Sequence, residues 1–406
     1  TGAGIAGSAP PTLATHLVVS PTQAVTVTFP VRVRLLPPGT PVTHTARAES
    51  FLLSLPASAP RAFTIGCAPT ITVQTLNDSG DGSLRWAIAG VCDGGTVDFA
   101  AGLAGQTITL TSTELSLTRP VTIANPYAPG LHISGNNAMR VFSVAPAVTV
   151  RLRSLHIISG SAGSEPMTSR GGGIYNLGAL TVQDCTISGN TAYFGGGIVN
   201  GDGGVDGTLT LLNSIVAHNT ATATAGGIWS YGTLLVQNSV ISGNVSAGDS
   251  GGLCLYDGLA TVHNSTIADN RAEGWGGGIW SGIPLTITDS TISGNTALAG
   301  GGLQILGIDP TFIINTTISG NRVRESGGGI GTYWNPPHIY LNHSTVVSNT
   351  ADDDGDGDGD GGGLYAYQRA VFSLTHTIVA NNLDLGGQTS DCAVVTPTNG
   401  GGIYSA

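Results

Sequence analysis

Apolar and polar residues alternate along LTVQDCTIS, Leu180–Ser188, where Leu180 and Val182 share a phase with Cys185 and Ile187 after a reset near Asp184. A period of two, rich in β-branched residues and broken by glycine and asparagine, predicts short strands rather than helices. The pattern recurs along most of the chain. A phrase of the form [Asn/Asp]-[Ser/Thr/Cys]-x-[Ile/Val]-x-x-Asn ends at Asn190, Asn219, Asn244, Asn270, Asn295 and Asn321, with looser copies ending at Asn349 and Asn381. The steps between these eight asparagines are 29, 25, 26, 25, 26, 28 and 32 residues. Each copy is followed by glycines and an aliphatic residue, as at Gly171–Ile174, Gly195–Ile198, Gly276–Ile279 and Gly327–Ile330, and the cluster returns at Gly400–Ile403.

A unit of about 25 residues with two or three strands, stacked on copies of itself, is the sequence form of a parallel β-helix. Coils ~4.8 Å apart place every residue on its counterparts, so like charges would repel along the stack. Only 10% of the residues are charged, in keeping with that constraint. The repeated asparagine is expected to form an architectural ladder, because it tolerates left-handed backbone angles and bonds amide to amide. The glycines read as turns needing positive φ or as points of close packing. None of the clusters leads into Lys-Ser or Lys-Thr, which removes a phosphate-cradling role.

Before the repeats, GDGSLRWAIAG, Gly80–Gly90, predicts a short helix capped by Ser83, with Leu84, Ala87 and Ile88 on one face and Gly90 as its stop. Such a helix would cover the open edge of a first coil. The wider stretch PTITVQTLNDSGDGSLRWAIAGVCDGGTVDF, Pro69–Phe99, together with the GGG-I and TISGNTA phrasing of the coils, resembles secreted bacterial right-handed parallel β-helix proteins. These are the CSLREA-like and polymorphic outer-membrane-protein-type repeat families. The resemblance spans roughly Cys67 to Cys392 and implies an N-terminal cap, a right-handed single-stranded solenoid and an extracellular address. The chain departs from those families in lacking a visible C-terminal anchor or barrel. The expected organisation is a β-rich arm over 1–64, a cap over 65–100, coils over 101–392 and an incomplete terminal coil over 393–406.

Within the arm, His16–Leu36 and Ser50–Ala57 are β-rich runs punctuated by proline. They either fold back on their own coils or add a strand to the terminal coil of another copy. The second arrangement would give a head-to-tail homopolymer.

All 14 basic residues are arginine against 25 acidic ones, for a net charge of −11. Nothing supplies a basic stripe for nucleic acid. The absence of lysine removes Schiff-base chemistry. No run of 18 apolar residues occurs, and a first residue other than methionine suggests a mature exported form. Cys67 and Cys92 bracket a compact segment and are the candidate disulfide, whereas Cys185 takes a slot filled elsewhere by serine and reads as a buried thiol. The Asn-x-Ser/Thr sequons at Asn244, Asn264 and Asn315 belong to the repeat phrase and read as its by-products.

Chemistry has few candidates. The acidic run Asp352–Gly363 offers Asp352, Asp354, Asp356, Asp358 and Asp360 either to calcium or to solvent, and its twelfth residue is Gly363 where an EF-hand needs glutamate. Residues after the glycine clusters, among them Tyr175, Trp229, Trp280, Tyr365 and Tyr404, would form an outward aromatic stripe. It serves either as a contact surface, for surface glycans or another copy, or lies under loop insertions. Parallel β-helices also host polysaccharide lyases and glycosidases, but Asp184 and Asp289 fall four coils apart, about 19 Å at the coil spacing. The expected function is therefore a non-enzymatic extracellular structural or adhesive protein, with a polysaccharide-active enzyme as the alternative.

Overall fold

Along the strands of the coils, alternate apolar side chains turn inward, and the positions between them, many of them threonine or serine, turn outward. A computed structural model describes residues 41–48, 57–64, 67–163, 165, 168–333, 337–386, 391–395 and 402–405. The chain divides into two units, Thr1–Gly66 and Cys67–Ala406. In the first unit, Pro41–Ala48 pairs antiparallel with Ala57–Thr64 as a hairpin. The run His16–Leu36, and Ser50–Ala57 up to its last residue, lie outside the described residues.

The second unit is a parallel β-solenoid with a short helix near its start. One coil shows the plan, running through strands Ala260–His263, Thr266–Ala268, Arg271–Ala272 and Ile279–Ser281 before Leu285–Thr288 opens the next. Four sheets result, with 13, 11, 8 and 11 strands. Repeat periodicity predicts two or three strands per unit, and the structure adds a further short one. Its strands are as brief as Thr296–Ala297, too short to display an alternation.

Register is held from coil to coil, so the core is made of columns of like residues. Ile241, Ile267, Ile292 and Ile318 stack in one sheet, and Ile228, Leu253, Ile279 and Leu303 in another, all fully buried. Between the sheets the chain turns at left-handed corners. One corner is the first residue of the repeat phrase, with φ from 45° to 53° at Asp184, Asn213, Asn238, Asn264, Asp289 and Asn315. Another is the residue just before the terminal asparagine, as at Gly189, His218, Gly243 and Asp269. The third is the first residue of the glycine cluster, as at Gly171, Gly195, Gly276 and Gly300.

The terminal asparagines themselves are not left-handed, which corrects the reason expected for them. They point inward and are fully buried. The backbone N–H and Nδ2 of Asn244 both donate to Oδ1 of Asn270, at 3.1 and 2.9 Å. Asn270 repeats this onto Asn295, both bonds at 3.0 Å. Each Nδ2 also reaches a carbonyl of the preceding coil, as from Asn270 to Ile241 at 2.9 Å. The ladder runs Asn190, Asn219, Asn244, Asn270, Asn295, Asn321, Asn349 and then Asn382. Asn381 is thus not a rung: it is exposed, takes the left-handed corner at φ 57°, and leaves the rung to its neighbour. The phrase there starts at His376, one residue later than its spelling suggests. At its ends the ladder receives the Gly160 N–H on Asn190 Oδ1 at 2.7 Å, and Asn382 donates twice to the Asp391 carboxylate at 2.9 Å.

At the start of the solenoid the helix Leu84–Gly90 buries Leu84 and Ala87, and Ser83 Oγ accepts from the Trp86 N–H. Cys67 and Cys92 are joined as a disulfide. Arg119 donates to the carbonyls of Ile88 and Ala89, satisfying the last turn of the helix. Arg85 ties the helix to Asp78 at 2.7 Å and to the Glu114 carbonyl at 2.9 Å.

Burial works against the Asp78 carboxylate, but the Ser112 hydroxyl, Arg85 and the Thr111 N–H hold its pKa below the ordinary value. A folded pKa below the unfolded one contributes stability above about pH 4 that is lost as pH falls further. In D78N that acid sensitivity is expected to be smaller, while stability near neutrality drops. Melting temperatures across an acid-to-neutral series check both, and parallel curves for the two proteins would contradict the assignment.

Candidate interaction face

The outward positions of the last sheet of each coil carry four large aromatic side chains, Tyr175, Trp229, Trp280 and Tyr365. In register they read Ser143, Tyr175, Val199, Trp229, Cys254, Trp280, Gln304, Gly331 and Tyr365. Tyr404 is not in this column: it pairs opposite Ser373 in the 13-stranded sheet and is 52% exposed. Ile403 and Tyr404 therefore lie on a different face from the residues that follow the earlier glycine clusters.

The rest of the column is more covered than an outward stripe would be. Trp229 is 6% and Tyr365 8% exposed. Val199, Ala225, Trp229 and Cys254 form a small apolar cluster of their own outside the main core, packed against Tyr175, Phe194, Tyr231 and Trp280. Phe194 stacks on Trp229 at 4.5 Å, Tyr231 on Tyr256 at 4.7 Å and Tyr256 on Trp280 at 5.8 Å. The edge-on contact of Trp229 with Tyr231 at 4.7 Å completes the series. Ring faces are thus consumed by neighbouring rings, a preferred aromatic geometry. A sugar stacking flat needs a free face. Among the rings of this strip Tyr256 is the most exposed, at 53%.

Its N-terminal end is charged. Arg140 lies over the Tyr175 ring at 5.0 Å and Arg170 over Trp229 at 5.6 Å. Arg170 pairs with Asp202, which also accepts from the Tyr175 hydroxyl at 2.7 Å, while Arg140 pairs with Glu114 at 2.6 Å. Burial raises the Tyr175 pKa, with Arg170 and Arg140 opposing. Burial likewise pushes Tyr231 up to about 12, helped by Tyr256 and Cys254. Both phenols stay protonated at neutral pH and are poor bases. Phe194, Tyr231, Tyr256, Arg140, Arg170 and Asp202 are the members that the repeat spelling does not reveal, because they lie outside the repeated phrase, Phe194 at the end of the short strand Thr191–Phe194 and the others between strands.

Near the cap, a cavity of about 330 Å³ lies between Ile88, Ala89, Leu115, Leu117, Arg85 and Arg119. Its two guanidinium groups are the ones that clamp the helix.

Of the five candidate ligands among the six aspartates of the acidic run, Asp352, Asp354 and Asp356 bring carboxylate oxygens within 4.8 Å of one another. Asp358 and Asp360 are not in that group. Asp352 is fully buried and accepts from the N–H groups of Asp356 at 3.0 Å and Gly357 at 3.1 Å. Calcium takes about 6–8 oxygens. The trio supplies a minority of these, and its one buried member already closes the loop.

The remaining thiols are held protonated. Burial pushes Cys185 up to about 12 and Cys392 to about 11, and raises Cys254 further. A thiol-selective reagent is expected to label Cys392 first in native protein, and Cys185 and Cys254 only on unfolding. Equal labelling rates at all three would mean that the coils open far more readily than their packing implies.

Against family models, curated proteins and solved structures the chain returns no match. Among the described residues no helix is long and apolar enough to cross a membrane. The parallel β-solenoid itself is the secure classification.

Proposed function

We propose that this protein is a non-enzymatic extracellular structural or adhesive solenoid, in the manner of the secreted bacterial repeat proteins it resembles. The observation that carries this reading is the buried asparagine ladder, which passes from Asn190 to Asn382 without a missing rung. A column of this kind makes a stiff scaffold. The groups best suited to chemistry support the same reading, since Asp202, Arg170 and Arg140 hold one another and the aromatic strip together. Surface glycans and further copies of the chain are the proposed partners. Residues 1–64 are the proposed assembly segment.

Electron microscopy of the full chain and of a form lacking residues 1–64 tests assembly, with filaments expected from the first and single particles from the second. Incubation with neutral and acidic polysaccharides tests the chemistry, and unchanged chain length is expected. Sustained cleavage would replace this reading with a polysaccharide-active enzyme.

A further inference from the structure

The outer left-handed corner carries a second, exposed ladder. Asn213 Nδ2 donates to Asp184 at 3.2 Å, Asn238 to Asn213 at 3.1 Å, Asn264 to Asn238 at 2.8 Å and Asn315 to Asp289 at 2.6 Å. In the next two coils the same corner is held by His343 and His376, with φ of 51° and 48°. Their rings lie 4.8 Å apart and within 14° of parallel, and both residues are exposed. Neither ring has a hydrogen-bond or ion-pair partner among the described residues.

We infer that His343 and His376 form a chelating site for one divalent transition-metal ion of the zinc, nickel or copper class. Imidazole nitrogen suits these metals, whereas calcium and magnesium favour oxygen. The backbone is pre-set on both sides of the pair. Asn342 faces Thr375 before the corner, Thr345 faces Ile378 after it, and the His343 N–H bonds to the Thr375 carbonyl at 3.0 Å. Metal–nitrogen bonds of about 2.0–2.1 Å bring two ligand nitrogens somewhat closer than the ring spacing. Parallel rings direct their nitrogen lone pairs side by side, so sharing one ion requires both exposed side chains to turn about χ1 and χ2, which moves no strand, and water fills the remaining positions.

The other adjacent pair, His132 and His156, differs in both respects. Its rings meet edge to face at 72°, and His156 sits against Gly130, where a Cβ would come within 2.6 Å of Nε2.

H343N and H376N are well-matched variants, because asparagine occupies this corner in earlier coils and would continue the amide ladder. Calorimetric titration of the full chain with zinc, and electron paramagnetic resonance with copper(II), are expected to give one ion per chain with two nitrogen ligands. Losing even an outer-shell partner weakens metal sites by about 10–100-fold, so either variant is expected to bind roughly tenfold or more weakly. Circular dichroism and the metal-free melting temperature should be unchanged or improved. Absence of binding by the native chain would overturn the site. So would unchanged affinity in both variants, including the case in which D354N abolishes binding instead.

Discussion

Asn270→Ala is expected to destabilise the solenoid far more than Asn264→Ala, although both asparagines come from the same repeat phrase. Asn270 Oδ1 accepts two buried donors, the N–H and Nδ2 of Asn244. Alanine leaves both without a partner, at about 1–3 kcal/mol each, so a loss on the order of 2–6 kcal/mol follows. Asn264 is exposed and makes its amide contacts at the surface. Its replacement costs mainly the left-handed preference, about 1 kcal/mol. Denaturant unfolding of the two variants measures the difference. Hydrogen exchange at the Asn244 amide should report the same contrast locally, which matters because solenoids need not unfold in a single step. Equal losses would mean that the inner ladder is not the support described.

Gly277→Ala is the second large effect. The missing Cβ would fall 2.6 Å from the carbonyl oxygens of both Gly301 and Thr296. Both are backbone atoms of the next coil, so no side chain can move aside. Overpacking typically costs about 1–3 kcal/mol and more where nothing yields, which places this variant at about 3 kcal/mol or above. Gly189→Asn is the informative companion. Gly189 has φ 64° and open space around its Cβ direction, and His218, Asp269 and Ser348 already occupy equivalent corners. That variant should fold almost normally. Melting temperature and soluble yield separate the two, and a G277A protein as stable as G189N would refute the close approach between coils.

The contrast between these glycines also shows how much of the fold could be read from the chain. Spacing near 25 residues and alternation such as Leu180, Val182, Cys185 and Ile187 were sufficient for the class, because stacked coils repeat their environment and so repeat their residues. Phase at the corners was harder to read. Asparagine suits both a left-handed turn and a buried ladder, so composition alone assigned the turn to the wrong residue. At Asn381–Asn382 the two roles sit side by side, and spelling favoured the first. The short-strand sheet escaped because two residues have no period. Tyr175, Trp229, Trp280 and Tyr365 share one column while Tyr404 lies in another sheet, and the burial of that column depends on Phe194, Tyr231 and Tyr256, which fall outside the repeated phrase. The helix and the disulfide at the cap were more legible, since both depend on neighbours close in sequence.

The inner ladder is directional, and that has a consequence for how such a molecule can change length. Every rung gives two donors forward, and every rung after the first receives two from behind, while the single Gly160 N–H starts the series on Asn190 and the Asp391 carboxylate, which has only acceptors, finishes it. A whole coil duplicated between two rungs finds a matching acceptor above and matching donors below. The same coil placed beyond Asp391 would meet a carboxylate where an amide is required. Growth of the scaffold by duplication is therefore tolerated in its interior and resisted at that boundary, so copies arising there should be the most alike and the terminal turns the most individual.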